Sequence, residues 1–160
     1  MKLLLKNVLF SLVVPGTVAV YVPLLVAGDH PPASGPLFFL ALTLLAAGSA
    51  IYAWCVWDFA AFGRGTPAPI DAPKRLVVRG LYRYVRNPMY VGVLTAILGW
   101  AVMFGATTLL TYAFCVWIFV HLFVVFYEER HLGRQFGAEY QDYRATVGRW
   151  LPRFPRRNSG

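Results

Sequence analysis

Charge is the scarce ingredient of this chain. Only 14% of its 160 residues are Asp, Glu, Lys or Arg, where a soluble domain carries roughly a quarter, and none of the four occurs from Asn87 to Tyr127. That scarcity excludes an ordinary soluble domain. Cysteine is nearly absent: Cys55 and Cys115 both fall in apolar stretches, where a thiol serves as a small apolar filler, and two such residues make no disulfide framework. The three histidines, His30, His121 and His131, are scattered without ligand-like spacing, so no metal is expected. Strands and helices do not alternate around a glycine-rich turn, which excludes a Rossmann-type nucleotide-binding domain.

What is abundant is apolar. Three stretches lack charge: Asn7 to Gly28, Gly35 to Trp57, and Asn87 to Tyr127. A membrane crossing takes about 20 residues at about 1.5 Å each, so the last stretch reads as a helical hairpin turning at "FGAT", residues 104–107. The expectation is one all-α membrane domain: a polytopic bundle of four transmembrane helices, five if the tail dips back in. The first two spans occupy 1–62, a loop 63–88, the hairpin 89–127, and an amphipathic carboxy-terminal segment 128–151. Lys2 and Lys6 resemble the start of a leader peptide, but no clean small-x-small site follows and more apolar segments come after, so the first segment reads as a span. Pro15 and Pro23 should bend it.

The formal charge of +8 is uneven. Lys2 and Lys6 precede the first span; Arg64, Lys74, Arg75, Arg79, Arg83 and Arg86 lie between the second and third; Arg130, Arg134, Arg144, Arg149, Arg153, Arg156 and Arg157 follow the fourth. Asp29 to Pro36 and the "FGAT" turn carry no Lys or Arg. This asymmetry places both termini and the 63–88 loop in the cytoplasm, and accounts for the excess charge without nucleic acid.

Polar chemistry gathers at the two ends of the hairpin. In "RNPMY", residues 86–90, Pro88 suits the first position of a helix and Asn87 its N-cap. The helix start with Arg86 beside it forms an anion-receptive corner. Glu128 and Glu129 stand where the hairpin leaves the membrane, so Arg86 approaches one of them, either as a structural pair or beside a ligand. His121, seven residues before Glu128, lies on roughly the same face two turns deeper; it is a candidate site residue or a histidine satisfied by a neighbour. Farther on, Leu132, Phe136, Tyr140, Tyr143, Val147 and Trp150 follow at intervals of three and four, the stripe of one amphipathic helix lying on the cytoplasmic side and ended by Pro152. Asp58, after Trp54 and Trp57, either marks the membrane interface or faces the bundle and holds a basic group.

The stretch "GTPAPIDAPKRLVVRGLYRYVRNPMYVG", followed after one apolar hairpin by "EERHLGRQFGAEYQDYRATVGRWLPR", resembles the isoprenylcysteine carboxyl methyltransferase and phospholipid methyltransferase superfamily of integral-membrane enzymes, over about Gly63 to Arg153. The resemblance implies methyl transfer from S-adenosyl-L-methionine, with a cofactor pocket built by the last two spans and the tail. The matching positions are Arg86, Asn87, Pro88 and Tyr90, then Glu128 and Glu129, then Leu132, Phe136, Tyr140, Tyr143 and Arg144, with Leu81 and Tyr82 on the cofactor side of the preceding turn. Arg86 is expected to orient reactants, and Glu128 or Glu129 to receive donor groups of the cofactor. Many members carry histidine where this chain has Asn87, which cannot take a useful proton. The acceptor is expected to be a membrane-embedded lipophilic molecule bearing a carboxylate or another polar head group; a phospholipid amine is the alternative. The competing class is a non-enzymatic transport or assembly protein.

Overall fold

The computed structural model describes residues 13–63 and 75–153. Among the described residues the chain forms five helices and no strand: α1 (Val13–Ala27), α2 (Pro36–Phe62), α3 (Pro88–Phe104), α4 (Thr107–Phe136) and α5 (Ala138–Thr146), with a 3₁₀ turn at Gly80–Arg83 before α3. Helices α2 and α4 are long and apolar enough to cross a membrane, with mean hydropathy 1.9 and 2.3; α1 and α3 are shorter apolar helices. Large apolar side chains point outward, Phe39 at 68% and Phe119 at 70% exposure. Apolar surface on that scale is unfavourable against water and suited to lipid.

In α1, Pro23 has no N–H to offer the carbonyls one turn earlier. The helix widens to π-helical winding over Thr17–Tyr21, and two of those carbonyls find partners elsewhere: Tyr112 Oη donates to Val18 O and Trp100 Nε1 to Ala19 O, both at 2.9 Å. The proline defect thus becomes the attachment of α1 to α3 and α4.

Helices α2 and α3 approach until backbone meets backbone, as small residues permit in apolar surroundings. A Cβ on Gly48 would sit 2.6 Å from Gly92 O and 2.7 Å from Ala96 N, and one on Gly92 2.8 Å from Gly48 O. This seam sets the height of α3, and with it the positions of Pro88 and Arg86. At its other end α3 stops at Gly105 in the left-handed conformation (φ 58°), and the buried Ala27, Ala101, Ala106 and Leu109 close the bundle there.

The tail departs from the expected single helix. Helix α4 continues to Phe136, Gly137 turns the chain at φ 53°, α5 runs from Ala138 to Thr146, and Val147 to Arg153 form no helix. A positive φ is a conformation that glycine adopts without steric cost, so the apolar stripe is divided among the end of α4, α5 and the non-helical segment after it. Tyr140, Tyr143 and Val147 still share one buried cluster, against which Leu132, Phe136 and Leu76 pack.

Candidate active site

Helix α4 winds as a π-helix over Val124–Glu128, a local widening frequent at functional sites. It delivers Glu128 and Glu129 to different partners. Glu129, 9% exposed, lies between two guanidinium groups. Arg86 Nη1 reaches its Oε1 at 2.9 Å, while Arg149 donates Nε to Oε1 at 2.6 Å and Nη2 to Oε2 at 3.0 Å. The bidentate bond raises the already high pKa of Arg149. Glu128 instead accepts from Tyr90 Oη at 3.1 Å, which ties the start of α3 to α4. Of the two carboxylates the sequence offers Arg86, the structure pairs it with Glu129.

Asn87 opens α3 but makes no side-chain cap bond. Its Nδ2 donates to Arg149 O at 3.1 Å, Arg86 N donates to Gly148 O at 2.9 Å, and Val85 and Gly148 form a parallel bridge. The expected N-cap is thus corrected: the amide serves the tail, because an extended segment with a free carbonyl lies beside it. Pro88, fully buried, begins the helix.

Tyrosines brace this junction. Tyr140, 2% exposed, receives Arg86 Nη1 on its hydroxyl at 3.3 Å, and Tyr143 Oη donates to Tyr82 O at 2.7 Å. Burial raises the phenol pKa of all three, with the Arg86 charge opposing it at Tyr140 and Tyr143. Tyr82 packs with Cys55 and Val77, and Leu81 against the same cluster, so both face α2. Asp58 is 4% exposed and turned into the bundle; its Oδ2 lies against Gly80 and has no hydrogen-bond partner among the described residues.

Beside the Glu129 junction opens a cavity of about 790 Å³, whose lining combines Arg86, Arg144, Arg149 and Arg153 with Ala145, Trp150, Leu151 and Pro152. That volume lies within the range of small-molecule sites, about 300–1,000 Å³. Arg86 lines this cavity, and its Nε is a buried donor without a hydrogen-bond partner among the described residues. The structure therefore gathers Arg86, Asn87, Pro88, Tyr90, Glu128, Glu129, Tyr140, Tyr143 and Arg144 around one junction. His121 lies two turns deeper, against Trp150.

The model of the phospholipid methyltransferase family matches residues 37–139. The chain belongs to the phospholipid methyltransferase family. Its curated relatives include methanethiol S-methyltransferase 2 of Bradyrhizobium diazoefficiens, 40% identical over 80 residues, which are 49% of this chain and 30% of that protein. Protein-S-isoprenylcysteine O-methyltransferase of Schizosaccharomyces pombe is 37% identical over 82 residues, 50% of this chain and 34% of that protein. Methanethiol S-methyltransferase 1 of B. diazoefficiens is 34% identical over 80 residues, 50% of this chain and 27% of that protein. The matched stretch thus spans about a third of these relatives. The family and the two long apolar helices make the chain a membrane protein.

Arg149, Trp150, Gln141 and Arg153 line the cavity but were not singled out as site residues by sequence. Arg149 lies off the apolar stripe, in a segment that the stripe reads as helix and the structure does not. Its one signal is "GRWLP", Gly148 to Pro152, a helix-breaking frame around a cation.

Proposed function

We propose that the basic cavity binds S-adenosylmethionine and that the protein transfers its methyl group to a lipophilic acceptor in the membrane. The observation that carries the reading is the cavity itself: four arginines, one with a buried Nε that has no partner among the described residues, share its lining with Trp150, Leu151 and Pro152. A carboxylate suits the arginines, and a nucleoside suits the apolar lining.

When bound, the cofactor would supply a methyl group on an already activated sulfonium. The chain's own task is then to bind, align and exclude water. Arg86, held by Glu129 and Tyr140, orients an anionic group at the start of α3. Arg144 and Arg149 extend the same positive lining. Glu129 keeps both guanidinium groups in place and has no oxygen left without an arginine. Asn87 cannot act as a base. This arrangement favours an acceptor that reaches the site already ionised, such as a carboxylate. The relatives' names include both O- and S-methyltransferases, so a thiolate belongs to the same class. A phospholipid amine would require a proton acceptor, and Glu128 is the group placed nearest that role.

The topology that accompanies this reading has α1 to α4 crossing the bilayer, with the cavity, the 63–88 loop and both termini on the cytoplasmic side. The distribution of Lys and Arg supports it. Methyl incorporation from labelled cofactor into a membrane lipid extract tests the function. A base-labile product identifies an ester, a base-stable one a thioether or amine, and absence of both binding and transfer favours a transport or assembly protein.

A further inference from the structure

The family reading leaves unexplained the contact between Trp150 and His121. Trp150 Nε1 donates to His121 Nδ1 at 3.1 Å, and the rings stack with centroids 6.1 Å apart and planes at 28°. On its other side His121 meets Trp117, centroids 5.6 Å apart. The indole can only donate and the imidazole nitrogen here accepts, so in this half-buried pair each polar atom satisfies the other.

The preceding residue makes this contact matter to the cavity. Arg149 grips Glu129, while Trp150 reaches eight residues back along α4, a distance of about 12 Å at helical rise. Two adjacent residues thus fasten one non-helical segment to two levels of the same helix. That segment also supplies the carbonyls that hold Arg86 N and Asn87 Nδ2, from Gly148 and Arg149. Gly148, Arg149, Trp150, Leu151 and Pro152 all line the cavity. With the indole released, this wall would keep its Arg149 anchor but lose the one that fixes its direction along α4.

We infer that Trp150 and His121 form a latch that positions the carboxy-terminal wall of the cavity, and with it Arg149. Both act as positioning residues for ligand binding, an assignment that rests on the proposed reading of the cavity as the methyl-donor site. His121 thereby acts through Trp150 and not on the donor.

The test uses the full chain in nanodiscs as wild type, Trp150→Phe, His121→Ala and His121→Gln. Phenylalanine keeps the apolar ring and removes the donor; glutamine restores an acceptor. The latch predicts faster amide exchange over residues 147–153 in Trp150→Phe and His121→Ala, with protection largely restored in His121→Gln. It also predicts dissociation constants for S-adenosylhomocysteine weaker by about three- to tenfold in the first two variants, no further loss when they are combined, and near-wild-type affinity in His121→Gln. Unchanged exchange, or losses that add in the double variant, overturn the latch. If wild type binds no S-adenosylhomocysteine, the donor reading falls, and the exchange pattern alone still upholds or overturns the latch.

Discussion

Arg149 holds Glu129 through two nitrogens, Nε to Oε1 at 2.6 Å and Nη2 to Oε2 at 3.0 Å, while Arg86 Nη1 shares Oε1 at 2.9 Å. One carboxylate thereby joins the start of α3, the end of α4 and the tail. Bringing three charges together at low exposure is costly unless their geometry satisfies them. Here two cations converge on a single anion, which leaves a net positive corner facing the cavity.

Replacing Glu129 by Gln keeps the shape and removes the charge, leaving two guanidinium groups face to face. Loss of one partner from a buried ion cluster costs about 3 kcal/mol. The variant should unfold at a clearly lower temperature in detergent; an unchanged thermal midpoint would show that the junction carries little of the stability.

Tyr143→Phe removes the 2.7 Å bond to Tyr82 O and leaves that carbonyl unsatisfied, at a cost of about 1–2 kcal/mol. The same tyrosines set an alkaline limit. Burial raises the phenols of Tyr82, Tyr140 and Tyr143, so the unfolded chain loses these protons first. Their contribution is complete below the ordinary tyrosine pKa of about 10, and is lost as pH rises from there towards the folded-state values. Stability measured against pH should fall above that point, and less steeply in Tyr143→Phe; equal slopes in the two proteins would contradict the assignment.

Gly48→Val places side-chain atoms against Gly92 O and Ala96 N, where backbone cannot yield cheaply. A loss of about 2–3 kcal/mol is expected from overpacking, read as reduced yield of folded protein and a lower thermal midpoint. A stable variant would mean that α2 and α3 slide freely.

Much of the site was legible because charge stands out against an apolar background. Arg86, Glu128 and Glu129 flank a hairpin without a single charge, so their meeting followed from connectivity. The choice between Glu128 and Glu129 did not, since the π-helical turn before them decides which way each points. Asn87 reads as a cap by local rules, yet its amide goes to Arg149 O, a partner 62 residues away that no local rule supplies. The tail stripe kept its three-and-four spacing across Gly137, where the positive φ divides the helix. The same stripe misplaced Trp150 and left Arg149 unread: its spacing predicts a helix through Trp150, whereas the chain leaves helix at Val147 and lays a non-helical segment along α4. The α2–α3 seam was equally silent, as Gly48 and Gly92 acquire meaning only when paired.

The central claim is that the arginine-lined cavity holds the methyl donor, and calorimetric titration of S-adenosylmethionine into the protein in nanodiscs tests it most directly. Arg144 lies on the exposed side of that cavity, so Arg144→Gln is the informative companion variant. The account predicts saturable one-site binding to wild type, about tenfold weaker in Arg144→Gln, for one charge-assisted contact to a carboxylate lost, with thermal stability unchanged. No saturable binding to folded wild type, or equal affinity in the two proteins, would contradict it.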